Sequence, residues 1–369
     1  MNFLKTIIRQ YYSKKPLEEP SDIHKREIAL ESLEDGKYIR HLSFPYMSQL
    51  YDYILRVKTP LHLYYSSALY ASPSSDKMED KEWEGSELIF DIDADKYPGC
   101  EQVLWICPSN AGISISKLDS CPGGEKPVEY STLSWSCIKR AWVDIIELVK
   151  ILKEELGYKK IKIYFSGNRG FHVRVYDSDV LSLSRESRKA IADYVSCDNL
   201  SIQTVFPDYR GKVLFIPPEF GIRRRVYEYA SKMGIIQPAR LRGLRDIYAL
   251  DTENLSNILS NICIKVDKAV TMDTSRLSRF GNSLNMKAGL KVVEIGLNVN
   301  IDELYYDKFS PFKGYVKIKS LITGNIQVLD NQVELSRYSV SRVDGYIGVY
   351  LVVKNIAVPV DYSELEVKP

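Results

Sequence analysis

The sequence predicts a mixed α+β (α/β) fold, in which strands and helices interleave within one main domain and a mostly helical insertion interrupts it. Three observations support this prediction: an alternating strand at 87–93, an amphipathic helix at 137–156 and two alternating strands within 160–176. Strands return near the end of the chain, after a helical stretch. This order differs from the regular strand–helix alternation of a parallel Rossmann sheet.

The length of the chain is compatible with this division, because 369 residues suffice for one large domain or two ordinary ones. We expect residues 1–183 and 263–369 to form the main domain and residues 184–262 to form the insertion. The composition, 45% hydrophobic and 27% charged, is that of a folded protein. A net charge of +2 does not by itself indicate a protein that binds nucleic acid.

The first 80 residues are expected to begin with a helix and to continue with mixed elements. YIRHLSF at 38–44 has the pattern of an extended segment, and residues 47–56 have helical spacing. LHLYYSSALY at 61–70 alternates as a strand. These segments precede the clearest strand of the sequence.

That strand is ELIFDID at 87–93. Side chains alternate along a strand, so one of its faces is apolar and consists of Leu88, Phe90 and Ile92. Asp91 and Asp93 lie together on the opposite face. Residues 96–136 follow, rich in proline, glycine and cysteine, and are expected to form an irregular loop comparable to a zinc knuckle.

The helix predicted at 137–156 ends at Gly157. KIKIYF at 160–165 and FHVRVY at 171–176 then alternate as the strands of a hairpin, with the turn SGNRG between them. After residue 262 the sequence returns to segments that we expect to be strands, at 262–267, 314–322, 325–329 and 345–353.

Asp91 and Asp93 are candidates for metal-dependent chemistry. On one strand face their Cα atoms lie about 6.5–7 Å apart. Two carboxylates at that distance repel each other unless a cation lies between them, and Mg²⁺ prefers such oxygen ligands. A cation held there could bridge triphosphate oxygens and activate an attacking hydroxyl. D-x-D also occurs in glycosyltransferases, in nucleases and on ordinary surfaces, so the pair alone leaves the reaction open.

The hairpin turn is a candidate phosphate-binding site. Its small residues let backbone N–H groups approach phosphate oxygens closely. Arg169 can bind a phosphate through a bidentate fork. His172 can donate a hydrogen bond to phosphate, and more strongly when it is protonated. The alternative is a plain β-turn beside a packed histidine.

The predicted insertion carries a cluster of arginines: Arg223, Arg224, Arg225, Arg240, Arg242 and Arg245. They form either a solvated helix face or a contact to phosphates or to a partner chain. No apolar run approaches the roughly 20 residues that span a bilayer, and the N-terminus lacks the pattern of a secretion signal. We therefore expect a cytoplasmic protein without a membrane partner.

Three motifs, in this order, resemble the catalytic small subunit of archaeo-eukaryotic DNA primases: ELIFDIDAD, SGNRGFHVRV and an aspartate ahead of RLSRFGNSLN. REIAL, YIRHLSF and PLHLYYSSALY near the N-terminus are similar to the same family, closest to its crenarchaeal members. The resemblance implies the catalytic-domain fold of that family. It also implies template-dependent synthesis of short RNA primers on single-stranded DNA for replication. The enzyme could synthesise DNA strands as well.

The resemblance implies a two-metal site for Mg²⁺ or Mn²⁺ held by three aspartates. Asp91 and Asp93 match the first two. The position of the third, counted back from the family's S-x-H segment, gives Asp267, with Asp273 as a nearby competitor. The nucleotide-binding residues that the family implies are Ser166, Gly167, Arg169, His172, Arg279, Asn285 and Lys287.

The sequence departs from the family at two places. The histidine of the S-x-H segment, which contacts the triphosphate, is Asn285 here, and asparagine can donate a hydrogen bond but carries no charge. The family's zinc-knuckle pattern is also incomplete, since Asn110 stands where a second cysteine is expected. A Zn²⁺ site could use Cys100, Cys107, Cys121 and Cys137. A metal-free loop or disulfides, the latter typical of hyperthermophilic archaea, are the alternatives.

The partners that the resemblance implies are a primase large subunit with an iron–sulfur domain, a single-stranded DNA template and nucleoside triphosphates. One alternative is a repair or plasmid-type primase-polymerase, but 369 residues leave no room for the fused helicase or ligase domain that is usual there. The other is an inactive paralogue that acts as a scaffold. Clustered carboxylates are costly to keep without a metal, which argues against that alternative.

Overall fold

The computed structural model describes residues 2–100, 102–108, 113–241 and 244–369. These residues form helices and several antiparallel sheets, which confirms the predicted mixed α+β class. The helices are α1 (Asn2–Tyr12), α2 (Met47–Asp52), α3 (Trp135–Lys150), α4 (Arg185–Ser196), α5 (Ile202–Val205), α6 (Gly221–Lys232), α7 (Leu255–Ile262), α8 (Lys268–Met272), α9 (Tyr306–Phe309) and α10 (Gly345–Val353). Within the described part of the chain, no helix has the length and apolar character needed to cross a membrane.

The strands are short, and most of them pair with neighbours in antiparallel sheets. In chain order they are β1 (Ile28–Ser32), β2 (Tyr38–Leu42), β3 (Pro60–Ser66), β4 (Ala68–Tyr70), β5 (Trp83–Ser86), β6 (Leu88–Asp93), β7 (Gln102–Ile106), β8 (Ile113–Ser114), β9 (Val128–Thr132), β10 (Ile161–Phe165), β11 (Gly170–Val175), β12 (Lys212–Phe215), β13 (Gln237–Leu241), β14 (Leu244–Asp251), β15 (Leu277–Arg279), β16 (Leu284–Asn285), β17 (Leu290–Lys291), β18 (Val293–Glu294), β19 (Phe312–Ser320), β20 (Gly324–Val328), β21 (Asn331–Leu335), β22 (Val340–Asp344), β23 (Ala357–Asp361) and β24 (Leu365–Val367).

A four-stranded antiparallel sheet of order β18-β10-β11-β6 positions the acidic motif. It contains the predicted strand with Asp91 and Asp93 and both strands of the predicted hairpin, all of which are confirmed. One face of the sheet packs against α3, where the rings of Trp142 and Phe171 lie 5.4 Å apart. The other face carries the polar side chains, because alternation places His172 on the opposite side from Phe171.

A second sheet, of order β15-β3-β1-β2, lies in the N-terminal part of the main domain. Its edge strand β15 comes from a much later segment and pairs antiparallel with β3, so that Arg279 stands opposite Tyr64. This pairing brings the arginine of the segment RLSRFGNSLN to the aromatic N-terminal strands. The two strands lie far apart in the sequence, so their pairing depends on the tertiary fold and not on local sequence.

The insertion contains less helix than predicted. Strands β12, β14 and β13 form a three-stranded antiparallel sheet within it, beside helices α5, α6 and α7. A second hydrophobic core, which includes Phe215, Val226 and Leu250, lies in this part of the chain. These strands are stabilised by pairing with one another, a contribution that local periodicity does not reveal. The domain boundaries at 184 and 262 stay a prediction.

Two segments predicted as strands are different in the structure. Residues 262–267 are not a strand, because α7 runs to Ile262 and the side chain of Asp267 caps α8 by accepting a hydrogen bond from Ala269 N at 3.0 Å. Residues 345–353 form α10, which is apolar on all sides and largely buried. A short continuous apolar run does not distinguish a buried strand from a buried helix. The strands predicted at 314–322 and 325–329 are confirmed as β19 and β20.

The cysteines pair in disulfides, so the four-thiolate zinc site is not formed. Cys100 bonds to Cys137 with Cα atoms 5.7 Å apart, which ties the irregular loop to α3. Cys107 bonds to Cys121 with Cα atoms 5.6 Å apart, within the loop. A sulfur in a disulfide has no thiolate to offer to zinc. Asn110 lies outside the described residues.

Three of the insertion arginines make ion pairs within the protein. Arg223 binds Glu219 at 2.7 Å, and Arg224 binds Glu154 at 2.7 Å, at the end of the long helix that begins with α3. Arg225 is buried, with its Nε 3.4 Å from a carboxylate oxygen of Glu155. These three arginines therefore support the packing of α6. Arg240 is exposed, and Arg242 lies outside the described residues. For Arg245 the choice between a solvated position and a binding contact stays a prediction.

Candidate active site

A cleft of about 360 Å³ opens beside the end of β6. It is lined by all but one of the residues predicted to hold the catalytic cations or the nucleotide: Asp91, Asp93, Ser166, Arg169, His172, Asp267, Arg279, Asn285 and Lys287. The exception is Gly167, which is not among the residues that line the cleft. A Cβ added there would be 3.0 Å from Cβ of Asn285 and 3.0 Å from the carbonyl oxygen of Lys291. Glycine is required at this position because the two segments approach so closely, with a φ of +72°.

The third carboxylate reaches the cleft through a main-chain contact. Asp267 N donates a hydrogen bond to the carbonyl oxygen of Asp91 at 3.0 Å. This is a single bond, because the segment around Asp267 does not pair with β6 as a strand. One carboxylate oxygen of Asp267 lies 3.8 Å from the ammonium of Lys96. Asp273, the competing candidate, does not line the cleft and instead accepts hydrogen bonds from the N–H and the hydroxyl of Ser275.

The aspartate pair on β6 lies in an environment that disfavours two negative charges. Burial, followed by the charge of Asp93, raises the pKa of Asp91 to about 7. Burial also raises the pKa of Asp93, and the nearby guanidinium of Arg169 opposes that shift. Oδ1 of Asp91 is buried and has no hydrogen-bond partner. A cation bound at this edge would relieve both the repulsion and the unsatisfied oxygen.

The residues present fit a divalent cation of the magnesium type. Among the residues that the structure describes, no group of three or more His, Cys, Asp or Glu side chains is placed so that it could hold a metal ion by itself. Mg²⁺ usually keeps several waters and takes only one or two protein carboxylates together with substrate phosphates. An open acidic edge with an unsatisfied Asp91 oxygen matches that requirement better than a closed cage does.

His172 is a neutral imidazole in this site. It stands opposite Asp91 across the strand pair, with its Nε2 3.7 Å from Oδ1 of that residue. Burial, followed by the charges of Arg174 and Arg279, lowers the pKa of His172 to about 3. At neutral pH the histidine can therefore donate one N–H to an anion but does not carry the positive charge considered from the sequence.

The hairpin turn is held by its own hydrogen bonds. Ser166 N donates to the carbonyl oxygen of Gly170 at 2.9 Å, and Gly170 N donates to Oγ of Ser166 at 3.2 Å. The side chain of Arg169 is half-exposed, and it contacts Asp95 at 2.5 Å and Asp93 at 3.7 Å. The guanidinium thus lies at the rim of the cleft, beside the acidic pair, where a phosphate bound near the carboxylates would meet it.

Arg279 supplies a buried positive charge to the opposite wall. Its guanidinium lies 2.9 Å from Nδ1 of His62 and 4.8 Å from the centre of the Tyr64 ring. Burial lowers the pKa of Arg279, while the hydroxyls of Tyr64 and Tyr12 oppose the shift. Arg174, also buried, donates to the carbonyl oxygen of Arg279 at 2.5 Å and fixes the backbone there. The arginine is therefore held in place before any ligand binds.

Asn285 supports the cleft through protein contacts. The side chain is 2% exposed, its Nδ2 donates to the carbonyl oxygen of Ser166 at 2.9 Å, and its Oδ1 accepts from Lys287 N at 3.2 Å. The Nδ2 amide carries a second N–H and Asn285 lines the cleft, so its contact with a triphosphate stays a prediction. Its two protein contacts hold the hairpin turn and the backbone of Lys287 in place.

Sequence reasoning missed three charged residues of the site. Arg276 lines the cleft, and Lys96 and Asp95 contact two of the predicted residues. Asp95 and Lys96 directly follow the D-x-D strand, and their proximity along the chain could have revealed them. Arg276 is the first residue of the quoted segment RLSRFGNSLN, three residues before Arg279, so that motif could also have revealed it. Its place beside the cleft follows from the pairing of the adjacent strand β15 with β3.

Comparison with known proteins agrees with this geometry. A family model described as DNA primase small subunit matches residues 130–297, which include the hairpin turn, Asp267 and Asn285. The chain is 45% identical to the DNA primase small subunit PriS of Staphylothermus marinus, over 99% of this chain and 97% of that protein. It is 34% identical to the PriS of a Saccharolobus islandicus strain, over 96% of this chain and 94% of the relative.

The similarity extends over nearly the whole length of these relatives and is not confined to the region that the family model matches. The PriS of Sulfolobus acidocaldarius is likewise 35% identical over 95% of this chain and 93% of that protein. All three relatives are named as the same subunit. The chain therefore belongs to the DNA primase small subunit family.

Proposed function

We propose that this chain is the catalytic subunit of a DNA primase and synthesises short RNA primers on single-stranded DNA by template-dependent nucleotidyl transfer. The observation that carries the proposal is the meeting of Asp91, Asp93 and Asp267 in one cleft with the SGNRG turn. Carboxylates at such a position suit the reaction centre, and a small-residue turn with an arginine suits the triphosphate. Membership of the family supports this assignment.

We propose that Asp91, Asp93 and Asp267 hold Mg²⁺ or Mn²⁺ ions. When bound, such ions lower the pKa of the attacking hydroxyl and neutralise the leaving pyrophosphate. The buried oxygen of Asp91 without a hydrogen-bond partner supports this role, as does the repulsion between the two β6 carboxylates. Zinc is not part of the proposal, because the cysteines are paired.

The remaining residues of the cleft bind and orient the nucleotide. Arg169 and Lys287 offer positive charge at the rim, and Arg279 offers a buried guanidinium fixed by His62. The neutral imidazole of His172 can donate one N–H hydrogen bond to a phosphate oxygen. Holding the substrate in a fixed orientation supplies part of the rate enhancement, because the entropy of alignment has already been lost on binding.

The family assignment also suggests partners. A small subunit implies a large subunit, and we propose a heterodimer or larger complex that acts on a single-stranded DNA template with nucleoside triphosphates. The relatives are archaeal proteins, so we place the activity in the cytoplasm of an archaeal cell. Co-expression with a primase large subunit from a related archaeon, followed by size-exclusion chromatography, tests the complex, and separate elution at micromolar concentrations would contradict it.

The catalytic assignment is tested by primer synthesis on single-stranded DNA with labelled nucleotides and Mg²⁺ or Mn²⁺. We expect Asp91→Asn and Asp93→Asn to lower the rate by at least about 10²–10³-fold, as for loss of a group that stabilises charge in the transition state. Asp302→Asn is the matched control, since Asp302 pairs with Lys139 at 2.7 Å outside the cleft. Wild-type rates in both cleft variants, or no synthesis by the wild type with its large subunit, would contradict the proposal.

A further inference from the structure

We propose that the C-terminal end of α4 positions Asp267 for the divalent cations, through two tethers that lie on either side of that residue in the sequence. The first tether is the disulfide between Cys197 and Cys263, and the second is an ion-pair cluster around Lys268. The proposal rests on the proposed function, because it concerns a residue that we assign to the cations. The tether residues do not line the active-site cleft, so they act through Asp267.

The first tether holds the chain immediately before Asp267. Cys197 directly follows α4, and Cys263 directly follows α7. Their Cα atoms lie 5.5 Å apart, although 66 positions separate them in the sequence. The main chain adds a hydrogen bond between the same segments, since Ile264 N donates to the carbonyl oxygen of Val195 at 3.2 Å. The segment that leads to Asp267 is thus joined to α4 twice.

The second tether holds the chain immediately after Asp267. The ammonium of Lys268 contacts the carboxylates of Asp193, in the last turn of α4, and of Asp198, just beyond that helix. These contacts bring α8, which begins at Lys268, against α4. An ion pair near the surface contributes little by itself. Here it adds to a covalent bond between the same two segments, so Asp267 is fixed from both sides.

The course of the chain explains why the disulfide matters for this residue. The part of the chain between the two cysteines contains the second hydrophobic core. Val195 and Ile264, beside the cysteines, belong to the main core instead. The disulfide therefore joins the points at which the chain leaves the main core and returns to it. Movement of the intervening part cannot separate those points, and the backbone before Asp267 stays in place.

Asp267 needs such support because its own link to the acidic strand is slight. One main-chain hydrogen bond, from Asp267 N to the carbonyl oxygen of Asp91 at 3.0 Å, joins the two segments. A single hydrogen bond of this kind contributes little net free energy. Groups that orient a metal ligand from behind typically raise metal affinity by about 10–100-fold. We therefore expect the tethers to strengthen cation binding by keeping the carboxylate beside β6.

A purely structural role is the alternative, because a disulfide that closes a loop stabilises a folded chain wherever it lies. Two matched controls address it. Cys107→Ser with Cys121→Ser removes a disulfide whose cysteines do not line the active-site cleft. Lys189→Gln removes an ion pair to Asp193 at 2.6 Å, but that pair lies within α4 and does not reach the segment of Asp267.

The test variants are Cys197→Ser with Cys263→Ser, Lys268→Gln and the charge-retaining Lys268→Arg. Hydrogen–deuterium exchange of the Asp267 amide is measured in the metal-free protein, and binding of Mn²⁺ alone is measured by electron paramagnetic resonance. The double serine variant should exchange about tenfold faster and bind Mn²⁺ about tenfold more weakly than the control without the other disulfide. Lys268→Gln should shift both values about threefold relative to Lys189→Gln, and Lys268→Arg should restore them.

The proposal is overturned if Mn²⁺ binding by the double serine variant matches that of its control, whatever happens to the melting temperature. Weaker Mn²⁺ binding without faster exchange overturns it as well, because the segment of Asp267 would then not have been released. If the double serine variant does not fold, the two Lys268 variants decide by the same measurements.

Asp267→Asn separates failure of this proposal from failure of the proposed function. If that variant loses Mn²⁺ binding and primer synthesis while the double serine variant keeps both, the tether proposal is wrong and the proposed function stands. If Asp267→Asn keeps both, the assignment of Asp267 to the cations is wrong, and the tether proposal falls with it.

Discussion

The main-chain N–H of Asp267 donates to the carbonyl oxygen of Asp91 at 3.0 Å, and this hydrogen bond joins the start of α8 to β6. The contact places a third carboxylate beside the acidic pair, although Asp267 does not lie on a strand that pairs with β6. The side chain of Asp267 also caps α8 through Oδ1, while its Oδ2 lies 3.8 Å from the ammonium of Lys96. Asp267 is in this way both a helix cap and a candidate metal ligand.

Asp267→Asn should separate these two roles. Asparagine is as good a helix cap as aspartate, so the free energy of unfolding should change by less than about 1 kcal/mol. The rate of primer synthesis should nevertheless fall by about 10²-fold or more, since a neutral amide is a poorer ligand for Mg²⁺. Asp273→Asn should retain most of the activity. The assignment would be wrong if Asp273→Asn alone abolished synthesis.

The site residues that could be predicted from the sequence lie on strands whose side chains alternate between apolar and polar. The strand of Asp91 and Asp93 and the hairpin around Arg169 alternate clearly, and alternation directly reflects which face of a strand is buried. Asp267 was found through the family resemblance, but its segment was taken for a strand. Its real environment depends on a hydrogen bond to a distant part of the chain, for which the local sequence carries no signal.

The residues that were missed lie where tertiary contacts override local pattern. Residues 345–353 form the buried helix α10, although the apolar run there was taken for a strand. Arg276 reaches the active-site cleft through the pairing of β15 with β3. The disulfides were one of several alternatives, because cysteine spacing alone does not determine which sulfurs meet.

His62 should make the protein sensitive to mild acid. Burial, followed by the charges of Arg279 and Lys287, lowers the pKa of His62 to about 2, against about 6.5 in the unfolded chain. Below pH 6.5 the unfolded chain takes up a proton that the folded protein does not. Stability is therefore lost as the pH falls from about 6.5 towards 2, by up to about 1.4 kcal/mol per pH unit.

The measurement is the free energy of unfolding at pH 7 and pH 5, by denaturant titration. His62→Asn keeps an acceptor for Arg279 but does not titrate, so it should lose up to about 2 kcal/mol less than the wild type over this interval. His24→Asn, at an exposed histidine, is the control and should behave as the wild type does. Equal losses in all three proteins would contradict the buried, neutral state of His62.

Asn285→Ala should weaken nucleotide binding through the protein contacts that it removes. The carbonyl oxygen of Ser166 and the N–H of Lys287 both lose their partner, which costs about 1–3 kcal/mol where such groups are buried. We expect about a tenfold higher KM for the nucleotide with a smaller change in kcat. Asn285→His should shift KM in the same direction, because the ring replaces a buried amide with two protein partners.

Steady-state kinetics at one template concentration test this expectation, with Asn261→Ala on the exposed part of α7 as the control. A lower KM in Asn285→His would mean that this position contacts the triphosphate, as the family histidine does. An unchanged KM in Asn285→Ala would mean that the Ser166 turn is held by its own hydrogen bonds alone.

The disulfide pairing predicts that thiol reagents find no free cysteine in the denatured protein without reductant. Cys100→Ser with Cys137→Ser should lower the free energy of unfolding by about 2–4 kcal/mol, because the loop between them is no longer constrained. Metal analysis of the purified protein should show no stoichiometric zinc. Four reactive thiols released together with one zinc ion per chain would instead restore the metal-knuckle interpretation.

Gly170 stands opposite Asp93 where the hairpin strand β11 pairs with the acidic strand β6. A Cβ there would lie 2.3 Å from the carbonyl oxygen of Ile92 and 2.9 Å from Cα of Asp93, both of them backbone atoms that cannot rotate away. Gly170→Ala should therefore push β11 away from β6 at the active-site end. Overpacking of this kind costs about 1–3 kcal/mol, and it would displace Asp93 from the other carboxylates.

We expect Gly170→Ala to melt at a lower temperature and to synthesise primers about 10²-fold more slowly, since a displacement of about 1 Å can cost that much in rate. Gly296→Ala is the matched control, because a Cβ there meets no atom within 4 Å and the backbone is not in the left-handed region. The two readouts carry separate information. A destabilised variant with full activity would show that the strands separate away from Asp93. Unchanged stability and activity together would contradict the close approach of β11 and β6.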